Sequence, residues 1–199
     1  MKLTRGATAS YLFTTSANAP GGGQQGSFSM TMTMNSKVLS VSGDVATVEY
    51  VVTPAKGSPG GTTPQKMTLK INSRGKVVGG DKQMAQMGFQ SALPDKPIPV
   101  GGSWSDTVPV QTAMGTITTK ANYRLTGISN RAGKPVANIQ VNMTGSGPSL
   151  NFTGKGTLAL RMDDGSMDNM TMQQTMKIGG GSGGKRVDVN VKVTMSRTK

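Results

Sequence analysis

Eight consecutive residues, Phe28, Ser29, Met30, Thr31, Met32, Thr33, Met34 and Asn35, alternate apolar and polar side chains without a break. Only an extended strand places every second side chain on one face, so the run excludes a helix here and calls for a sheet with one face against an apolar interior. The pattern recurs along the chain. Ala46, Val48, Tyr50 and Val52 share a face across 45–53, and Met67, Leu69 and Ile71 share one across 66–71. So do Ile117, Thr119, Ala121, Tyr123 and Leu125, and then Ala137, Ile139, Val141 and Met143. Met170, Met172, Met176 and Ile178 continue it, with Gln174 as a polar interruption, and Val187, Val189, Val191, Val193 and Met195 close the chain. A first strand is expected over 2–13, with Ala7, Ala9, Tyr11 and Phe13 on one face, and a short one over 76–78.

Turn chemistry separates these runs. Gly43 and Asp44 join 28–42 to 45–53 as a hairpin, and Gly75 supplies the positive φ of the turn 72–75. The glycine groups at 21–23, 60–61 and 179–184 lie between strands and read as hairpin linkers. About eleven antiparallel strands in one mainly β domain are expected, with Met30, Met32, Val48, Leu69, Phe89, Ile139, Leu158 and Val191 inside.

Residues 81–93 depart from this period, because Ala85, Phe89, Ala92 and Leu93, with Met84 and Met87 beside them, fall three and four apart. The spacing predicts one short helix, capped by Asp81 and ended by Pro94. A connector follows in which Pro94, Pro97 and Pro99 lack the N–H that a helix or central strand needs. Segments 1–80 and 100–199 then read as two similar halves joined by 81–99, since 157–165 parallels 68–75 at an offset of about 90 residues.

Composition narrows the chemistry. The 199 residues hold no cysteine and no histidine, which removes disulfides, thiolate chemistry and every Cys or His metal site or triad. The nine acidic residues sit mostly in expected turns or on polar strand faces, so no catalytic constellation emerges and the chain reads as non-enzymatic. Asp163, Asp164 and Asp168 fail the spacing of a calcium loop and read as a turn. Fifteen methionines lie mainly on the inner faces, and neighbours two apart on a strand are about 6.5 Å from each other, a stripe rather than a converging copper site. They suit an adaptable apolar surface, either core or cavity lining. No cofactor is expected. Net charge is +13, but Lys185 and Arg186 form the only adjacent basic pair, so an anionic membrane surface is expected as partner and nucleic acid is not.

At the central joint, Leu93, Pro94, Lys96 and Pro97 followed by Val100, Gly101, Gly102 and Trp104 resemble a pattern, LP-x-K-P-V-x-V-G-x-x-W, found in a group of bacterial envelope proteins. That group is similar in architecture to the LolA and LppX lipoprotein-carrier fold, although Ile98 stands here in place of valine and one helix is expected where those carriers have more. The resemblance implies a half-barrel, a strongly curved sheet with the helix on its concave side, able to enclose acyl chains. Residues 1–20 have no apolar core segment, which leaves either a cytosolic protein or a mature domain whose leader was removed; the resemblance implies the second, a secreted or periplasmic protein with its leader outside this chain. On this reading a lipid or other apolar molecule would meet Met30, Met32, Met34, Tyr50, Leu69, Met84, Met87, Phe89, Met170 and Met172. Trp104, Pro94 and Gly101 would be structural anchors, the indole pinning the connector to the sheet. The competing expectation is a structural or protein-interaction module with a filled core.

Overall fold

The computed structural model describes residues 3–19, 26–56, 63–81, 93–94, 96–112, 115–148, 150–179 and 187–198, the side chains of 110–112 excepted. Eleven strands form one antiparallel sheet: β1 (Thr8–Asn18), β2 (Ser27–Ser42), β3 (Val45–Pro54), β4 (Gln65–Asn72), β5 (Val77–Gly80), β6 (Ser103–Thr112), β7 (Gly115–Arg131), β8 (Lys134–Ser146), β9 (Leu150–Arg161), β10 (Met167–Ile178) and β11 (Val187–Arg197). The order across the sheet is β5-β4-β3-β2-β1-β11-β10-β9-β8-β7-β6. Five strands meander outward from the first, six meander inward to the last, and the first and last pair in the middle. The sheet is not closed into a barrel, and its edges are β5 and β6.

The expected strands form, with one shift. The first strand runs over Thr8–Asn18 rather than 2–13, because it is central: β2 and β11 saturate its backbone on both sides, which carries the polar stretch Thr14, Thr15 and Ser16 into the ladder. No α-helix occurs among the described residues. Most of 81–93, including Phe89, lies outside them, and the two ends that are described, Asp81 and Leu93, are not helical. Of the expected interior, Val48, Leu69, Ile139 and Leu158 are buried, whereas Met30, Met32 and Val191 are only half-buried. Those three lie on the apolar face, but toward the end of the sheet away from its packed centre.

Cross-strand register sorts the faces. One inner row runs Met32, Phe13, Met195, Met170, Leu158, Ile139 and Leu125 from β2 to β7. On the outer face Thr31, Thr14, Thr194, Thr171 and Thr157 stand side by side across five strands, with Thr14 and Thr31 hydroxyls 3.3 Å apart. Such directly opposed pairs are the unit of sheet stabilisation. The interior has two parts: Tyr11, Tyr123, Ile139, Val141, Leu158, Met172 and Met195 belong to one, and Ala46, Val48, Met67, Leu69 and Ile71 to the other.

The connector forces the sheet to curl. Leu93 N–H donates to the Arg74 carbonyl at 2.8 Å and the Arg74 guanidinium donates back to the Leu93 carbonyl at 3.2 Å, fixing Leu93 to the β4–β5 turn. Eight residues later, Gly101 N–H donates to the Leu125 carbonyl in β7 at 2.7 Å. Eight residues reach about 28 Å at most, whereas β4 and β7 would be roughly 38 Å apart in a flat sheet of this order.

Missing side chains on the inner face of β8 and β9 make room for that curvature. A Cβ at Gly156 would run into the Thr171 carbonyl oxygen and the Met172 sulfur, and one at Gly154 would lie 2.9 Å from Met143 Cγ. At Gly145 the ring of Phe152 occupies the space. Gly156→Ala is therefore expected to destabilise by about 1–3 kcal/mol. Gly127→Ala, where nothing lies within 4 Å, should stay within about 0.5 kcal/mol of wild type in the same urea titrations.

Candidate functional site

A cavity of about 210 Å³ opens on the concave face, and its lining shows how far the sheet folds over. Leu69, Ile71 and Val77 contribute from β4 and β5, Val48 and Tyr50 from β3, Met34 and Val38 from β2, and Ala9 and Tyr11 from β1. Met195 and Arg197 follow from β11, Met167 from β10 and Leu160 from β9. Ile71 and Leu160 are six strand spacings apart, roughly 29 Å in a flat sheet, yet they border one small space.

The two ends of the cavity differ in chemistry. Toward β3, β4 and β5 it is aliphatic apart from the Tyr50 phenol. Toward β9 and β10 it meets the turn residues Asp164, Gly165 and Ser166 together with Arg197. Arg197 faces inward because it stands directly opposite Tyr11 across the β1–β11 ladder. Its Nη1 donates to the Ser166 hydroxyl and lies 3.5 Å from Asp164 Oδ2, while Ser166 N–H donates to Asp164 Oδ1 at 2.7 Å. The turn itself is fixed by Gly165 at φ 72° and by reciprocal bonding between Arg161 and Ser166 or Gly165 at 2.8 Å. Behind it Asp168 receives Arg161 at 3.2 Å and Arg131 at 3.3 Å, and Lys134 reaches Asp163 at 2.5 Å. Lys134 holds the Asp163 carboxyl below the usual carboxylate range. Each carboxylate of this corner is thus met by a cation, which is why the three aspartates brace a turn.

Two phenols face the cavity. Burial pushes the Tyr50 hydroxyl up to about 12, with Tyr11 adding to the effect. Burial also raises Tyr11, with Arg197 opposing it. Both stay neutral hydrogen-bonding groups at physiological pH.

The expected contact residues divide. Met34, Tyr50 and Leu69 line the cavity. Met30 and Met32 share their face but are not in the lining, and Met170 and Met172, on β10, are buried in the larger part of the core. Met84, Met87 and Phe89 lie outside the described residues. Arg197, Asp164, Ser166 and Tyr11 were not singled out as contacts by sequence reasoning. The only available signal for Arg197 was its place in phase with Val187–Met195, a cation on an apolar face. A broader trough of about 940 Å³ crosses β2, β1, β11, β10 and β9 further along, bordered by polar groups such as Ser16, Asn18, Lys155, Gln173, Asn190 and Lys192. Being open and bordered by these polar groups, it leaves a ligand competing with water.

Trp104 sits in β6 opposite Tyr123, the rings stacked with centroids 5.1 Å apart and planes 13° from parallel. It is half-buried and does not border the cavity. Gly101, at φ 90°, and Gly102 carry the connector onto β7, and a Cβ on Gly102 would strike the Ile98 side chain. Pro94 follows Leu93, the clamped residue.

No protein-family model matches the chain, and comparison with curated proteins finds no match. Among solved structures it is similar to the hypothetical lipoprotein YmcC from Escherichia coli (K12), with 11% identity and a TM-score of 0.37, covering 100% of this chain and 90% of that one. No property of the site follows from that likeness.

Two outcomes are expected. The unfolded chain titrates tyrosine near 10, and Tyr50 in the fold only at about 12, so the neutral ring's stabilisation is complete below pH 10 and is lost as pH rises toward 12. Tyr50→Phe should therefore show a shallower fall of Tm over that interval than wild type. Trp104→Ala should cost about 2–3 kcal/mol in urea, less than for a fully buried indole, with Trp104→Phe recovering roughly half through the retained stack.

Proposed function

We propose that the protein is a non-enzymatic binding protein of the bacterial envelope that holds an apolar or lipid-like molecule on the concave face of its sheet. The observation that carries this reading is the partly open, mainly apolar cavity between β3–β5 and β9–β11, with Met34, Tyr50 and Leu69 in its lining. Concave apolar sites with a few polar groups are the usual form of small-molecule sites. A structural or protein-interaction module with a filled core gives no reason for such a space. The envelope location rests on the motif around Pro94 and Trp104, and the charge of +13 suits approach to an anionic membrane.

N-phenyl-1-naphthylamine, a neutral apolar fluorophore, tests the reading directly. Wild type should bind it in the micromolar range, and Ala9→Phe, which places a ring in the cavity, should weaken binding by about tenfold or more with Tm nearly unchanged. Emission from Trp104 should not shift on titration with decane-saturated buffer, because the indole is outside the lining. Absence of probe binding by wild type up to about 100 μM would leave the structural module as the better account.

A further inference from the structure

We infer that the ligand is a single-chain amphiphile with an uncharged, hydroxyl- or amide-bearing head, lying with its tail toward Leu69, Ile71 and Val77 and its head at Asp164, Ser166 and Arg197. This rests on the binding function proposed above and specifies its ligand. Size comes first. At about 210 Å³ the cavity falls below the roughly 300–1,000 Å³ of sites for drug-sized molecules. One slim alkyl chain fits it, and a multiply acylated lipid does not.

Polarity sets the direction. Among the described residues, the ionised side chains that border the cavity are Asp164 and Arg197, of opposite sign and both at one end. Their charges are compensated by each other at 3.5 Å, so the end is strongly hydrogen-bonding but carries no net charge. The guanidinium and the Ser166 hydroxyl offer donors, and the Asp164 carboxylate offers an acceptor. The Tyr11 phenol, opposite Arg197 across the ladder, serves as either. A hydroxyl or amide head uses both kinds at once.

Charged heads fare worse. A carboxylate would gain the Arg197 donors but would sit against Asp164, and like charges at an interface are a strong source of discrimination. An ammonium would meet the converse problem at Arg197. Behind the turn Lys134 engages Asp163, while Arg161 and Arg131 both engage Asp168, so this surrounding shell holds one cation in excess and the contact with Asp164 itself is what weighs against a carboxylate head.

The test compares three ligands of one chain length, monodecanoylglycerol, decanoate and decylamine, each displacing N-phenyl-1-naphthylamine below its micellar concentration at pH 8. Monodecanoylglycerol should bind about tenfold tighter than either charged ligand. Asp164→Asn should raise decanoate affinity by about tenfold while changing monodecanoylglycerol by less than about threefold, which also shows that the variant is folded. Arg197→Gln should improve decylamine in the same way. Decanoate binding to wild type as tightly as monodecanoylglycerol, or Asp164→Asn leaving the preference unchanged, overturns the head-group assignment while the apolar site stands. If the fluorophore binds but none of the three ligands displaces it, the inference falls and the cavity takes a compact apolar molecule. If the fluorophore itself does not bind, the proposed function falls with it.

Discussion

Eight cross-strand pairs between β1 and β11, from Tyr11 opposite Arg197 to Asn18 opposite Asn190, hold the N-terminal five strands and the C-terminal six in a single sheet. Without this seam each meander would expose a further central edge with its row of unpaired backbone groups. The seam also creates the cavity, whose walls come from β2–β5 on one side and β9–β11 on the other. Residues almost a full chain length apart must meet before any concave face exists. Such non-local closure carries a large loop entropy and makes folding slow relative to local hairpin formation. Thr198 extends the seam by bonding its N–H to the Ser10 carbonyl at 2.8 Å, so even the last described residue is tied to β1.

Curvature decides which inner residues become core and which become lining. Gly154 and Gly156 on β9 and Gly145 on β8 let the strands approach where side chains would collide, and the sheet bends most readily at such positions. Met172 lies over Gly156 and Phe152 over Gly145, so the larger neighbours fill what the glycines leave open. Gln174, the polar member of an otherwise apolar row, is accommodated beside Gly154, where its amide donates to the Met143 sulfur at 3.3 Å. The connector acts on the same bend, its reach between Arg74 and Leu125 being shorter than the flat sheet is wide and its Leu93 packing against the larger part of the core.

Alternation in the sequence disclosed strands and faces, since each residue of Met30, Met32 and Met34 is as apolar as its neighbour and all three do share a face. It could not separate them. Met34 borders the cavity, while Met170 and Met172 are core, and the difference depends on strand order and bending, neither of which a period of two encodes. The hairpins β2–β3 and β7–β8 were legible because their turns adjoin them. The β1–β11 pairing was not, because register across distant strands leaves no local mark. For the same reason Asp163 and Asp164 read only as a turn and Arg197 drew no reading at all, although Asp164, Ser166 and Arg197 together form the polar end of the site. The polar stretch of β1 hid for another reason: Thr14 to Ser16 carry little apolar signal, and their strand state is imposed by two neighbours.

An open sheet of this size must also keep its two edges from pairing with other chains. β5 has only four residues, which gives little template for a neighbour. β6 is longer, but Pro109 removes a donor and Asp106, in the inner row beside Ala121, turns a carboxylate inward. Asp106 joins burial in raising the Tyr123 hydroxyl, so its charge is felt within the apolar face. Trp104, two residues earlier on that strand, compensates by stacking on Tyr123 and restoring apolar contact at the edge. The edge is thus protected without being closed, and that difference matters for the concave face. A barrel would satisfy β5 and β6 by pairing them and would seal the space between; edges defended by length, proline and an inward charge leave the same face reachable.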